Sequence, residues 1–136
     1  MLMLGNQTIP VKIPPDLNNG EYLEALEVFK LSKKVTDYTS KLPDSYKNAK
    51  VLLRVKSTFK WSWVTNKGIA KAGLTIGTKE YYPINTYGYW SPTGTEHEKF
   101  FIDTLGSEIN ITAYSAYGVN WQKGGWYVEA DIYRIV

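Results

Sequence analysis

The stretch from Val51 to Trp63 constrains this chain most. Its odd positions, Val51, Leu53, Val55, Ser57, Phe59, Trp61 and Trp63, are apolar or small. Its even positions Arg54, Lys56, Thr58, Lys60 and Ser62 are polar. A strand sends alternate side chains to opposite faces, so this pattern predicts a strand with one face buried and one wet. Thirteen residues at about 3.3 Å each would span about 40 Å, which is long for a single strand. A bulge or bend near Ser57-Thr58 is therefore expected.

Shorter segments of the same kind follow. Asn66-Lys67-Gly68 reads as a turn, Ile69 to Ile76 as a strand rich in small residues, and Gly77-Thr78-Lys79 as a second turn leading into Glu80-Tyr81-Tyr82-Pro83. Residues 84–97 read as a long aromatic loop holding Tyr87, Tyr89 and Trp90. Phe100-Phe101-Ile102 is a strand and Leu105-Gly106-Ser107 a hairpin turn. Ile109 to Tyr117 is a further strand, and Trp126, Val128, Ala130 and Ile132 line a last one running to Val136. Strands at short spacing with Gly and Pro turns predict an all-β chain, an antiparallel β-sandwich or jelly roll.

The first third is less regular. Residues 1–20 read as an extended N-terminal arm, and residues 21–136 as a single sandwich domain. Within the arm Ile9, Val11 and Ile13 alternate, but Pro10, Pro14 and Pro15 confine such a strand to a sheet edge. Residues 21–35 read as one short helix, because Tyr22, Ala25, Leu26 and Phe29 fall at i, i+3, i+4 and i+7, with Asn18 as its cap and Glu21 three residues on. The same stretch also alternates as a strand through Leu23, Ala25, Phe29 and Leu31, interrupted at Glu27; the helix is the preferred reading.

Composition removes whole classes of function. A chain of 136 residues makes one domain large enough to fold without a staple. With no Cys there is no disulfide framework, thiol nucleophile, iron–sulfur cluster or thiolate zinc site. With one His, His97, there is no histidine pair to hold a metal, and no metal or other cofactor is expected. The net charge of +3 comes almost wholly from Lys: only Arg54 and Arg134 are Arg. Nucleic-acid readers favour the planar guanidinium, so no nucleic-acid partner is expected. Met1-Leu2-Met3-Leu4 is shorter than a signal-peptide core or a membrane span, and a soluble protein is expected.

Nothing in the sequence sets up catalysis, and the chain is not expected to be an enzyme. The nearest cluster is Glu96-His97-Glu98, where the two carboxylates would share one strand face and His97 the other. No serine is placed beside His97, and there is no phosphate-binding glycine loop, nucleophile elbow or H-E-x-x-H helix. Aromatics are the unusual feature, at 15% of the chain, with 11 Tyr and 5 Trp. Phe59, Trp61, Trp63, Phe101 and Trp126 alternate as core residues do. Tyr87, Tyr89 and Trp90 lie in the aromatic loop, Tyr117 at a strand end and Trp121 between turn residues, where a ring can cover the apolar face of a sugar or anchor a subunit interface. These five are the candidate ligand or interface residues.

Leu42-Pro43, the strand Val51-Leu52-Leu53-Arg54-Val55-Lys56, the run Gly106-Ser107-Glu108-Ile109-Asn110-Ile111 and the ending Ile135-Val136 together resemble small β-sandwich modules of tailed-phage virion proteins: fibre tips, baseplate accessories and capsid decoration proteins. That resemblance implies a non-enzymatic structural or adhesion protein of a bacteriophage particle. It also implies location in the virion, other virion proteins as partners, a homo-oligomer with a trimer favoured, and contact with host glycans. Thr93-Gly94 through Val128 also resembles the second half of actinoporin-type pore-forming toxins, through Tyr117, Asn120, Trp121, Trp126 and Val128. That likeness implies that Tyr117 and Trp121 meet lipid headgroups, and the alternative reading is a soluble lectin or pore-forming toxin that binds sugar or membrane through Trp90, Tyr117 and Trp121. The chain departs from that family in its Pro-interrupted N-terminal segment and in the short interval between Pro83 and Gly94, so a membrane partner is disfavoured.

Overall fold

A computed structural model of the chain describes residues 8–13, 22–34, 39–59, 68–89, 96–116 and 126–136. Nine strands lie in them: β1 (Ile9–Lys12), β2 (Tyr22–Lys34), β3 (Thr39–Lys41), β4 (Lys50–Phe59), β5 (Gly68–Ile76), β6 (Lys79–Tyr89), β7 (Glu96–Thr104), β8 (Asn110–Ala116) and β9 (Trp126–Ile135). Between β3 and β4 a single 3-10 turn spans Asp44–Tyr46.

Every pairing is antiparallel, and the pairs are nested: β5 with β6, β4 with β7, β3 with β8, β2 with β9. Nesting of this kind is what a long antiparallel ribbon gives when it is rolled up. Two joins, β4 to β9 and β5 to β8, close the roll into sheets ordered β1-β2-β9-β4-β7 and β3-β8-β5-β6. This is an eight-stranded jelly roll, with β1 added at the edge of β2.

The predicted alternation of β4 holds. Val51, Leu53 and Val55 are fully buried between the sheets, with Ile132, Ala130 and Val128 of β9 beside them. Ala72, Leu74, Ile76, Ile111 and Ala113 face them from the second sheet. The one polar inward residue, Ser57, is also fully buried, and its hydroxyl donates to the Ala72 carbonyl at 2.8 Å across the sandwich. The expected bulge at Ser57-Thr58 is absent. β4 keeps one register against β9 from Val51 to Phe59 and against β7 from Lys50 to Thr58. The described strand ends at Phe59, ten residues long, so no bend is required; Trp61 and Trp63 lie outside the described residues.

Residues 22–34 are a strand, not a helix, and a bulge explains the misleading pattern. Ala25 pairs with Ile135 but Glu27 with Arg134, so one extra residue, Leu26, sits in β2. The extra residue flips the faces. Leu23 and Ala25 join a cluster on the outer face of the five-stranded sheet, while Phe29 and Leu31 join the core between the sheets. A strand that changes faces midway puts apolar residues at 22, 25, 26 and 29, which mimics a helical stripe.

Two other expectations are corrected. The aromatic loop at 84–97 is largely strand: β6 continues to Tyr89 and β7 begins at Glu96, with only 90–95 outside the described residues. Leu105-Gly106-Ser107 is not a hairpin turn, because the strands it joins belong to different sheets.

The end of the roll at that crossing is closed. Leu42, Tyr46, Leu105 and Ile109 are buried there. Backbone bonds tie the crossings together: Leu42 N–H to Ile109 C=O, Asn48 N–H to Gly106 C=O, and Leu105 N–H to Ala49 C=O, at 2.8–3.0 Å. The Tyr46 hydroxyl donates to the Ile132 carbonyl at 2.8 Å, and burial raises its pKa. Gly77 turns β5 into β6 with φ +61, and a Cβ there would meet the Glu108 carbonyl oxygen at 2.8 Å. Both the turn and the close approach require glycine.

Candidate functional site

The outer face of the five-stranded sheet is divided. Toward the closed end it is apolar. Leu52 of β4 is fully buried although it points away from the core, packed with Val11, Ile13, Ala25 and Ile135 and flanked by Leu23, Phe100 and Tyr133. Val11 and Ile13 of the N-terminal segment therefore belong to a second, smaller core.

One residue pair further along, the same face turns polar. Register sets Arg54 opposite Asp131, and Lys56 opposite both Glu129 and Glu98. The Arg54 guanidinium uses all three nitrogens: Nε to Asp131 Oδ2 at 2.9 Å, Nη1 to Glu98 Oε2 at 2.6 Å, and Nη2 to Glu129 Oε2 at 3.1 Å. Lys30 of β2 reaches Asp131 Oδ1 at 3.3 Å, and Lys56 reaches Glu129 Oε2 at 3.6 Å. One guanidinium thus ties β4 to both its neighbours, in the fork geometry that suits carboxylates.

Burial works against the Arg54 charge, but the bonds to Asp131, Glu98 and Glu129 outweigh it and hold its pKa above the ordinary value. The hydrogen bond from Arg54 lowers the pKa of Glu129, against the opposing effect of burial and with help from Lys56. Both shifts favour the charged forms of Arg54 and Glu129.

A trough runs over β9 beside this network. Its larger part, about 400 Å³, is lined by Lys30, Leu31, Ser32, Arg54, Glu129 and Asp131. A second part, about 170 Å³, shares Ser32 and Glu129 and adds Lys56, Thr58, Glu96, Tyr127 and Val128. Three cations and three carboxylates line it in all. The floor follows β9 from Asp131 to Tyr127, about 13 Å at strand rise.

No protein family, curated protein or solved structure matches this chain. The site must be judged on its chemistry.

Of the five aromatic candidates, Tyr87 and Tyr89 occupy the last positions of β6, in register with Ile69 and Gly68 of β5. Trp90, Tyr117 and Trp121 lie outside the described residues. The strand ends of the described residues gather in two groups. Lys34, Phe59, Glu96 and Trp126 end or begin their strands together in one sheet, and Gly68, Tyr89 and Ala116 do so in the other. The Ser57–Ala72 bond puts both groups at the same end of the roll, opposite the closed one.

Glu96-His97-Glu98 opens β7 rather than lying in a loop. Glu98 shares the outer face with Arg54, while His97 sits opposite Ser57 on the inner side, where burial lowers its pKa. Among the described residues no group of three His, Asp or Glu side chains could hold a metal ion.

On the flank where β6 faces β7, Tyr81 donates to Asp103 Oδ2 at 2.7 Å, Lys79 reaches the same oxygen at 3.5 Å, and Tyr81 meets Phe101 edge-on at 5.4 Å. Burial raises the Asp103 pKa, but the bonds from Tyr81, the Thr104 N–H and Lys79 outweigh it and leave it lowered. This cluster clasps two sheet edges.

Sequence reasoning found the wet face of β4 but not its partners. Lys30, Ser32, Glu129 and Asp131 come together beside Arg54 only through the register of three strands. The one local hint was the Glu96/Glu98 alternation.

Proposed function

We propose that the protein is a non-enzymatic structural and adhesion component of a bacteriophage particle. In this reading the jelly roll docks on neighbouring subunits, and one end of it contacts a partner or host surface through Tyr87, Tyr89, Trp90, Tyr117 and Trp121. The observation that carries the reading is the strand order, an eight-stranded jelly roll extended by an N-terminal edge strand. Capsid and lectin domains use this architecture because its closed double sheet leaves loops gathered at the ends for contact. The strand ends next to the aromatic candidates gather at one end, which supports a single contact surface.

β1 supplies a route to assembly. It pairs with β2 through Ile9–Ala25, Pro10–Glu24, Val11–Leu23 and Lys12–Tyr22. An arm exchanged between subunits keeps all four pairings and links the copies, the logic of a domain swap. The test is the solution mass by size exclusion with light scattering at micromolar concentration, for the full chain and for a chain lacking residues 1–13. A discrete trimer or larger ring that falls to monomer on truncation supports the reading. A full chain that stays monomeric, both alone and with candidate particle proteins, counts against it.

A further inference from the structure

We infer that the trough over β9 is a binding site for a neutral oligosaccharide chain. The inference goes beyond the particle reading, because it places ligand recognition on a sheet face rather than at the aromatic end, and it stands whether or not the chain assembles.

The argument starts from atoms the network leaves over. Glu129 engages Arg54 and Lys56 through Oε2 alone, and its Oε1 has no partner among the described residues. The side-chain hydroxyls of Ser32 and Thr58, which flank the trough on β2 and β4, likewise make no side-chain hydrogen bond among the described residues, while their backbones are held in the ladders. Acceptors and hydroxyls that can both donate and accept thus line a surface whose Glu129 and Asp131 carboxylates are already held by Arg54.

A sugar hydroxyl also donates and accepts, and it pairs well with carboxylates, guanidinium groups and other hydroxyls. Held groups lose little freedom when a ligand binds, which favours affinity. The charge balance narrows the ligand class: with three cations against three carboxylates, neither a polyphosphate nor a polyamine meets a complementary field. Tyr127 lines the far part of the trough, and an aromatic ring is a side chain on which a sugar's apolar side can pack. The trough is also elongated along β9, which suits a chain of units more than a single compact ligand.

The test uses the full chain, labelled with ¹⁵N, and three neutral probes, maltohexaose, cellohexaose and chitohexaose, with hexagalacturonate as an acidic control. Backbone shifts are mapped and affinities measured by titration calorimetry. The expected result is that at least one neutral probe shifts the amides of residues 30–32, 54–58 and 127–131 and binds more tightly than the control. Ser32→Trp fills the trough at an exposed position and should weaken that binding tenfold or more. Tyr127→Ala should do the same, with the dispersion of the spectrum unchanged.

If Trp121→Ala abolishes binding while Ser32→Trp leaves it intact, recognition belongs to the aromatic end and the trough proposal is overturned, although the adhesion reading survives. If no neutral probe shifts these amides at 10 mM, the proposal is also overturned. The particle reading stands or falls separately, on the mass measurement.

Discussion

Leu52 and Arg54 are two residues apart on one strand and point to the same side of the same sheet, yet they do opposite work. Leu52 is fully buried in an apolar cluster that draws on β1, β2, β4, β7 and β9. Arg54, at 22% exposure, anchors an ionic network across β4, β7 and β9. The apolar half gains from removing surface from water, a gain that is non-directional and does not depend on the ionisation of its own side chains. The polar half gains only through geometry, because each partly buried charge must find its partner to offset desolvation. One sheet face therefore holds a region that stabilises the fold and, beside it, a region that can be exposed and shaped for a ligand.

The largest effect that tests this division is at Leu52. Leu52→Ala should cost about 2–5 kcal/mol in urea unfolding, the range for a fully buried leucine. Leu53→Ala, on the core side of the same strand, should cost a comparable amount. A cost below about 1 kcal/mol at Leu52 would mean that the outer cluster is no second core, and that the segment holding Val11 and Ile13 adds little to the fold.

Arg54→Met should cost about 1–3 kcal/mol, since it leaves Glu98 without its partner and Asp131, 12% exposed at its side chain, with only Lys30. The loss should carry a pH signature that Leu52→Ala lacks. In the folded protein the Glu129 pKa lies below its ordinary value, through the bond from Arg54. The stability this contributes is fully present above the unfolded value of about 4.3 and is lost as pH falls through the lower folded value. The difference between wild type and Arg54→Met should therefore shrink below about pH 4, while the difference for Leu52→Ala stays level. Parallel curves for both variants would remove the electrostatic distinction between the two halves.

The same division explains how far the sequence could be read. The core side of β4 was legible because burial repeats every second residue and needs no knowledge of partners. The polar half was not, because Lys30, Arg54, Glu98 and Asp131 sit on four strands and nothing local links them. β2 was misread because the bulge at Leu26 switches its faces, so Ala25 and Phe29 belong to different clusters although both are apolar and odd-numbered. The β5–β6 turn was legible from Gly77, where one residue type answers one backbone demand. The crossing at Leu105-Gly106-Ser107 was misjudged because turn chemistry does not tell whether the next strand stays in the sheet.

Ser57 sharpens the comparison from the buried side. It is the polar residue at an inward position of β4, and its one bond, to the Ala72 carbonyl, crosses between the sheets. Ser57→Ala should cost about 1 kcal/mol, because a neutral buried hydrogen bond is lost.

The smallest effect should be at Lys56. Its contact with Glu129 is 3.6 Å, with side chains 30% and 42% exposed. Pairs of this kind contribute little, since solvent screens them and holding two long side chains costs entropy. Lys56→Ala should change stability by no more than about 0.5 kcal/mol, even though Lys56 lies next to Arg54 in the same network. A neighbouring charge on the same face, in the same trough, would then be nearly neutral for folding. That result would locate the structural part of the polar half in the Arg54 guanidinium alone and leave Lys56 free to serve a ligand. A loss comparable to that of Arg54→Met would instead show that the network acts as one cooperative unit, in which the trough cannot be altered for recognition without weakening the sheet beneath it.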